Sequence, residues 1–455
     1  MRDIEAMAYP LPEDILVRKL SGDLAGAQAL IDIYLREHRA PELELRLKLE
    51  QQVIARLPDN YPYTRAQALD MARAAIPGLD EAGFAELELS ADIAYVYIDG
   101  QRRYFAEFLP SLLKLRPDVA ARAGRAPDMN KPLLDEAISL MRARGELGYR
   151  LHMRARLQVC DEAFTPGTYR AHLPLPAQAA QQSRLKLLSA SPGLVCVADA
   201  RADARTAYFE RRLDANAPFE VEYEFDNRVR YFDAERPMPD MPLYPDVPAP
   251  NADDLAELPG HIMFTPYLRA LASRIVGDAD APLERAWRIY DYVTGHVRYS
   301  YMREYFLLPP IAEYAALGLK GDCGVQALLF ITLCRIAGVP ARWQSGLYAA
   351  PGDVGSHDWA QFYAPGWGWL FADCSFGGAA RRAGNAERWK FYFGNLDPYR
   401  MVANSRFQAP LRPALQFGRN DPYDNQSGEC ESETRLLRPN ELCKAREVVE
   451  AIRLN

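Results

Sequence analysis

Seven cysteines stand at 160, 196, 323, 334, 374, 430 and 443, and one of them has a setting suited to chemistry. In Gly321-Asp322-Cys323-Gly324 the thiol falls where an apolar helix is expected to begin, at 322 or 323. That helix runs to about 337 and stops at Gly338 and Pro340. Backbone N–H groups at a helix start lack intrahelical partners, and together with the helix dipole they favour a thiolate. The same amides can donate to an oxyanion, and the Cys323 N–H is the candidate donor. Cys334 is the internal control: it lies mid-helix between Leu333 and Arg335 and reads as packing.

A base and an orienting acid follow in the chain. Ser356-His357-Asp358-Trp359-Ala360-Gln361-Phe362-Tyr363 alternates, which puts His357, Trp359, Gln361 and Tyr363 on one face of a strand and Asp358 on the other. After the turn Pro365-Gly366-Trp367-Gly368, the run from Trp369 to Asp373 forms the partner strand. If Tyr363 pairs with Trp369, Asp373 comes opposite Trp359 and diagonal to His357, within side-chain reach. Thiolate, imidazole and carboxylate in this order form the activated nucleophile of acyl transfer. Each residue alone has an ordinary structural reading; the combination within 51 positions is what carries the argument.

These segments, with Leu333-Cys-Arg-Ile-Ala-Gly-Val-Pro-Ala-Arg342 and Tyr392-Phe-Gly-Asn-Leu-Asp-Pro-Tyr-Arg400, resemble the transglutaminase-like superfamily over about 260–405. The resemblance implies a papain-like α+β core with Cys323, His357 and Asp373 as the catalytic triad. It implies a thiol hydrolase of peptidase or amidase type, with an amine-accepting transglutaminase or a non-catalytic binding protein as alternatives. Bacterial members often carry Glu two residues beyond the tryptophan of the histidine motif, where this chain has Gln361. Trp359 is a candidate shield for the His–Asp pair, and Gln326 and Tyr301 are candidate substrate contacts. His296 and Tyr305 are weaker candidates for the same cleft. No metal or organic cofactor is expected, and His38, His152, His172 and His261 show no metal-ligand spacing.

The elements that must position these residues read as follows. Residues 1–147 look mainly helical, with Thr64 as N-cap of a helix over 66–75. A hairpin with an Asp99-Gly100 type I′ turn is expected between 93 and 105. Residues 148–235 read as an antiparallel β-sandwich, with strands near 149–159, 168–175, 185–188, 194–198, 206–211 and 219–225. Six prolines make 236–252 a stiff linker. Residues 253–405 form the α+β catalytic core, with a helix over 283–294 and a short strand at 297–301. Residues 406–455 form a C-terminal extension of loop followed by a helix near 439–452.

Composition narrows the function classes. The 455 residues carry a net charge of −7, so no basic excess argues for nucleic acid or an anionic membrane surface. The partner expected is a peptide or amide substrate. No run of about 18 apolar residues is present to span a bilayer. The acidic, proline-containing N-terminus and the sparse, odd cysteine count point to a cytoplasmic protein whose seven thiols are reduced.

Overall fold

The computed structural model describes residues 3–37, 40–125, 131–308 and 310–455. His38 lies outside them. Two compact units are present. Among the described residues no helix is long and apolar enough to cross a membrane.

The first unit comprises 1–129, 256–271 and 296–332. Its N-terminal part is mainly helical, including Glu13–Ser21, Leu24–Glu37, Pro41–Asn60 and Arg65–Ala75. Pro58 sits inside the last turn of the third of these rather than ending it. Thr64 caps the fourth through a reciprocal pair with Gln67, the arrangement that satisfies two orphan amides at once. The hairpin Tyr95–Ile98 with Gln101–Tyr104 turns through Asp99 and Gly100, whose φ values of 51° and 73° are those of a type I′ turn. Arg298–Tyr299 pairs in parallel with Lys320–Gly321, which fixes the backbone just before Cys323. The helix Cys323–Ile336 follows. Val325 and Ala327 to Ile331 along it are all buried, as expected for a helix that is apolar all round. The division between the units falls within this helix, after Thr332.

The second unit comprises 130–255, 272–295 and 333–455. Its strands are β1 (Glu146–Val159), β2 (Gly167–Pro174), β3 (Gln182–Ala190), β4 (Leu194–Val197), β5 (Thr206–Leu213) and β6 (Phe219–Arg230). Then come β7 (Ala341–Ala350), β8 (Asp353–Ala364), β9 (Gly368–Ala372), β10 (Phe393–Gly394) and β11 (Arg400–Asn404). The last are β12 (Glu429–Glu431) and β13 (Leu442–Arg453). A sandwich forms from two sheets in the orders β12-β2-β5-β4 and β13-β1-β6-β3. A third sheet runs β10-β9-β8-β7-β11. Leu347, Ala349, Met401 and Ala403 on one face of this third sheet join the sandwich core of Leu151, Phe209, Val221 and Phe225.

Three expectations are corrected. The segment expected as a helix near 439–452 is the edge strand β13, paired with β1 from Leu442↔Val159 to Arg453↔Tyr149. Part of the expected loop before it is β12, paired with β2. Cys160 and Cys443 are joined by a disulfide, so five cysteines are free rather than seven. The proline-rich segment is irregular and lies against the β8–β9 turn, where Trp369 Nε1 donates to the Pro248 carbonyl and the Leu243 N–H donates to Trp367.

Candidate active site

In the first unit, Asp322 caps the helix that begins at Cys323: the Val325 N–H donates to Asp322 Oδ1 at 3.0 Å. The Tyr305 hydroxyl donates to the same oxygen at 2.5 Å and fixes the carboxylate. Gln326 is fully buried, and its amide donates to the Gly321 carbonyl at 2.8 Å. It braces the backbone before Cys323 from inside, while its buried Oε1 has no hydrogen-bond partner among the described residues. A Cβ on Gly321 would stand 2.4 Å from Val325 Cγ1, so only glycine lets the strand approach the helix this closely. Cys323 itself is 7% exposed.

Tyr301 is 38% exposed and lines an open cavity of about 1250 Å³ together with His296, Ser300 and Phe306. Burial pushes its phenol pKa up, and negative charge on Glu107 and Cys323 adds to the effect. Cys323 is not part of that cavity's lining.

In the second unit, β8 and β9 pair with Tyr363 opposite Trp369 and Ala360 opposite Ala372, the register expected from the sequence. Asp373 follows β9 directly and caps the helix Cys374–Arg382. His357 Nε2 lies 2.8 Å from Asp373 Oδ2. The other carboxylate oxygen accepts from the Phe376 N–H at 2.9 Å and the Ser375 hydroxyl at 3.2 Å. Asp373 is fully buried and surrounded by donors, the setting of an ionised acceptor. Burial pushes its carboxyl up, but His357 and Arg400 beside it win and hold it far below the usual carboxylate range. Burial pushes His357 down against the pull of Asp373, so its neutral form is favoured at neutral pH. With Nε2 on the carboxylate, the proton sits there and Nδ1 is the basic nitrogen.

Trp359 is fully buried and stacks on His357 at 6.1 Å between ring centroids and 28° between planes. Its Nε1 donates to Gln344 at 2.9 Å. Phe376 closes another side of the imidazole, 4.6 Å away. Trp359 and Phe376 thus both lie against the His357 ring. Asp358, on the opposite strand face, accepts from Gln426.

Sequence reasoning missed Arg400. Its guanidinium is fully buried, with Nη1 2.9 Å from Asp373 Oδ2 and Nη2 2.6 Å from Asp397 Oδ2. Only the segment Leu396-Asp397-Pro398-Tyr399-Arg400 hinted at it, as an acid and a base three residues apart in an apolar stretch.

Cys334 and Cys374 are both fully enclosed, and burial holds both thiols protonated. Among the described residues no cluster of His, Cys, Asp or Glu has the arrangement of a metal site.

Residues 269–374, which include Cys323, His357 and Asp373, match the transglutaminase-like superfamily. No curated protein is similar to it in sequence. Among solved structures, a candidate cysteine protease from Cytophaga hutchinsonii aligns at 15% identity and TM-score 0.42, over 68% of this chain and 91% of that one. The periplasmic domain of TgpA from Pseudomonas aeruginosa aligns at 15% identity and TM-score 0.28, over 56% of this chain and 96% of that one. A candidate protease from Parabacteroides distasonis aligns at 12% identity and TM-score 0.21, over 50% and 63% of the two chains.

Proposed function

We propose that this transglutaminase-like core is a thiol hydrolase acting on an amide or peptide bond. The observation that carries the reading is the buried His357–Asp373 pair, with Nε2 committed to the carboxylate and the imidazole held neutral. His357 Nδ1 takes the proton of the Cys323 thiol, and the sulfur, as thiolate at a capped helix start, attacks the amide carbonyl carbon. The oxyanion is met by the Cys323 N–H. The C–N bond breaks as His357, protonated at Nδ1, hands its proton to the leaving amine. A thioester remains on Cys323. Water then attacks the thioester carbon, His357 takes its proton, and the C–S bond breaks to release the carboxylic acid and the thiolate. Asp373 stays ionised throughout and holds the imidazole's tautomer.

Water is favoured over an amine as acceptor. Asp358, the acid adjoining His357 in sequence, faces away and is engaged by Gln426, so it offers no recognition of a lysine amine at that face. An amide and peptide library, with and without a labelled primary amine, tests the choice. Hydrolysis is expected to exceed amine incorporation, and both are expected to vanish in Cys323→Ala. Incorporation outpacing hydrolysis would make the protein a transferase.

The Cys160–Cys443 bond supports an oxidising compartment over the cytoplasm expected from the N-terminus. It links the end of β1 to the start of β13 across 283 residues. Protein alkylated in denaturant as cells are lysed is expected to show five reactive cysteines before reduction and seven after it. Seven before reduction would return the protein to a reducing compartment.

A further inference from the structure

We propose that Arg400 is a positioning residue that sets the electrostatics of the His357–Asp373 pair, with Asp397 as its counterweight. The proposal rests on the hydrolase reading for its meaning, but not for its test. β11 brings Arg400 opposite Tyr348 of β7, on the face that carries His357. Its close approach depends on Gly346: a Cβ there would lie 2.0 Å from the Met401 carbonyl oxygen. The guanidinium bridges two carboxylates. Nε and Nη2 donate to Asp397 Oδ2 at 3.1 and 2.6 Å, and Nη1 faces Asp373 Oδ2 at 2.9 Å. Phe376 lies 4.5 Å from the guanidinium carbon, with Tyr348 at 5.4 Å, Trp359 at 5.6 Å and Tyr392 at 5.9 Å. These four rings enclose the buried guanidinium.

The charges around the pair are then few and named. Asp373 is shared by His357 and Arg400. Asp397 also accepts from the Tyr392 hydroxyl at 3.0 Å and the Tyr399 N–H at 3.1 Å. Among the described residues, Tyr290, Tyr392, Tyr399 and Cys374 are further titratable groups close to these carboxylates, and burial keeps all four protonated. On His357, once burial and Asp373 have acted, Arg400 disfavours the imidazolium and Asp397 favours it. Without Arg400, Asp373 would still orient the ring, but the base would hold its proton too tightly to hand it to the leaving amine.

The test reads the imidazole and not turnover. In the Cys323→Ala protein, the His357 resonance is assigned by its loss in His357→Gln and titrated by NMR. Arg400→Met is expected to move its midpoint to higher pH, Arg400→Lys to restore most of the shift, and Asp397→Asn to move it to lower pH. A purely structural role predicts no such opposed signs. An unmoved midpoint in Asp397→Asn, which keeps the guanidinium, overturns the proposal whether or not Arg400→Met folds. With Cys323 present, Arg400→Met is expected to lower kcat at least about tenfold, below the ~10⁴-fold seen when a triad's orienting acid is lost, with KM little changed. Opposed shifts in a protein that cleaves no amide would leave this proposal standing and remove the hydrolase reading.

Discussion

At the scale of single residues, the chemistry depends on Asp373 having all its bonds made. Two donors hydrogen-bond one oxygen; the other is hydrogen-bonded to His357 and in ion-pair contact with Arg400. An amide at this position keeps the shape but cannot balance an imidazolium, and its NH₂ would face Arg400. Asp373→Asn is therefore expected to keep the fold and lose about 10³–10⁴ in kcat on any amide the protein cleaves, the scale known for another protein's triad. An unchanged rate would take Asp373 out of the mechanism. The His–Asp contact was legible in the sequence only on the condition that Tyr363 pairs with Trp369, the register that β8 and β9 adopt. Arg400 was not, because its neighbours depend on which strand β11 pairs with, and the sequence does not state that pairing.

At the scale of elements, β13 is the main departure from sequence expectation. Its Lys, Ala, Arg and Glu content favours a helix. Pairing along nearly the whole length of β1 outweighs that preference, because β1 would otherwise be an unpaired sheet edge. The alternation of β1 and β6 was legible because one face of each is buried. β2 and β5 also bury His172, whose Nδ1 lies 2.8 Å from the Thr206 hydroxyl and whose Nε2 lies 3.0 Å from the Pro413 carbonyl. Burial pushes this imidazole down from 6.5 to about 4. The unfolded chain takes up a proton below 6.5 that the native sandwich refuses until about 4. His172 thus supports stability fully above 6.5 and loses that support as pH falls towards 4, by about 3 kcal/mol. Urea unfolding at pH 7 and pH 4.5 checks this: the loss on acidification is expected to be smaller in His172→Gln, and an equal loss would contradict it.

At the scale of the whole molecule, the sequence order of functions is not the order of the fold. The C-terminal 50 or so residues return to complete the sandwich, with a disulfide at the junction. Neither was legible, because both join segments almost 300 residues apart and no local pattern records such a partner. The division into units also separates Cys323 from His357 and Asp373. The central claim is that these three residues act together, and site-resolved alkylation tests it without a known substrate. Native protein, His357→Gln and Asp373→Asn are treated briefly with limiting iodoacetamide at neutral pH, and the rate at each cysteine is mapped by mass spectrometry. Cys196 is exposed and serves as the internal standard. The account predicts that Cys323, though only 7% exposed, reacts faster than Cys196 in the native protein. It predicts a loss of at least about tenfold at Cys323 in His357→Gln, with Cys196 unchanged. A Cys323 rate that is slower than that of Cys196 and indifferent to His357 would contradict it.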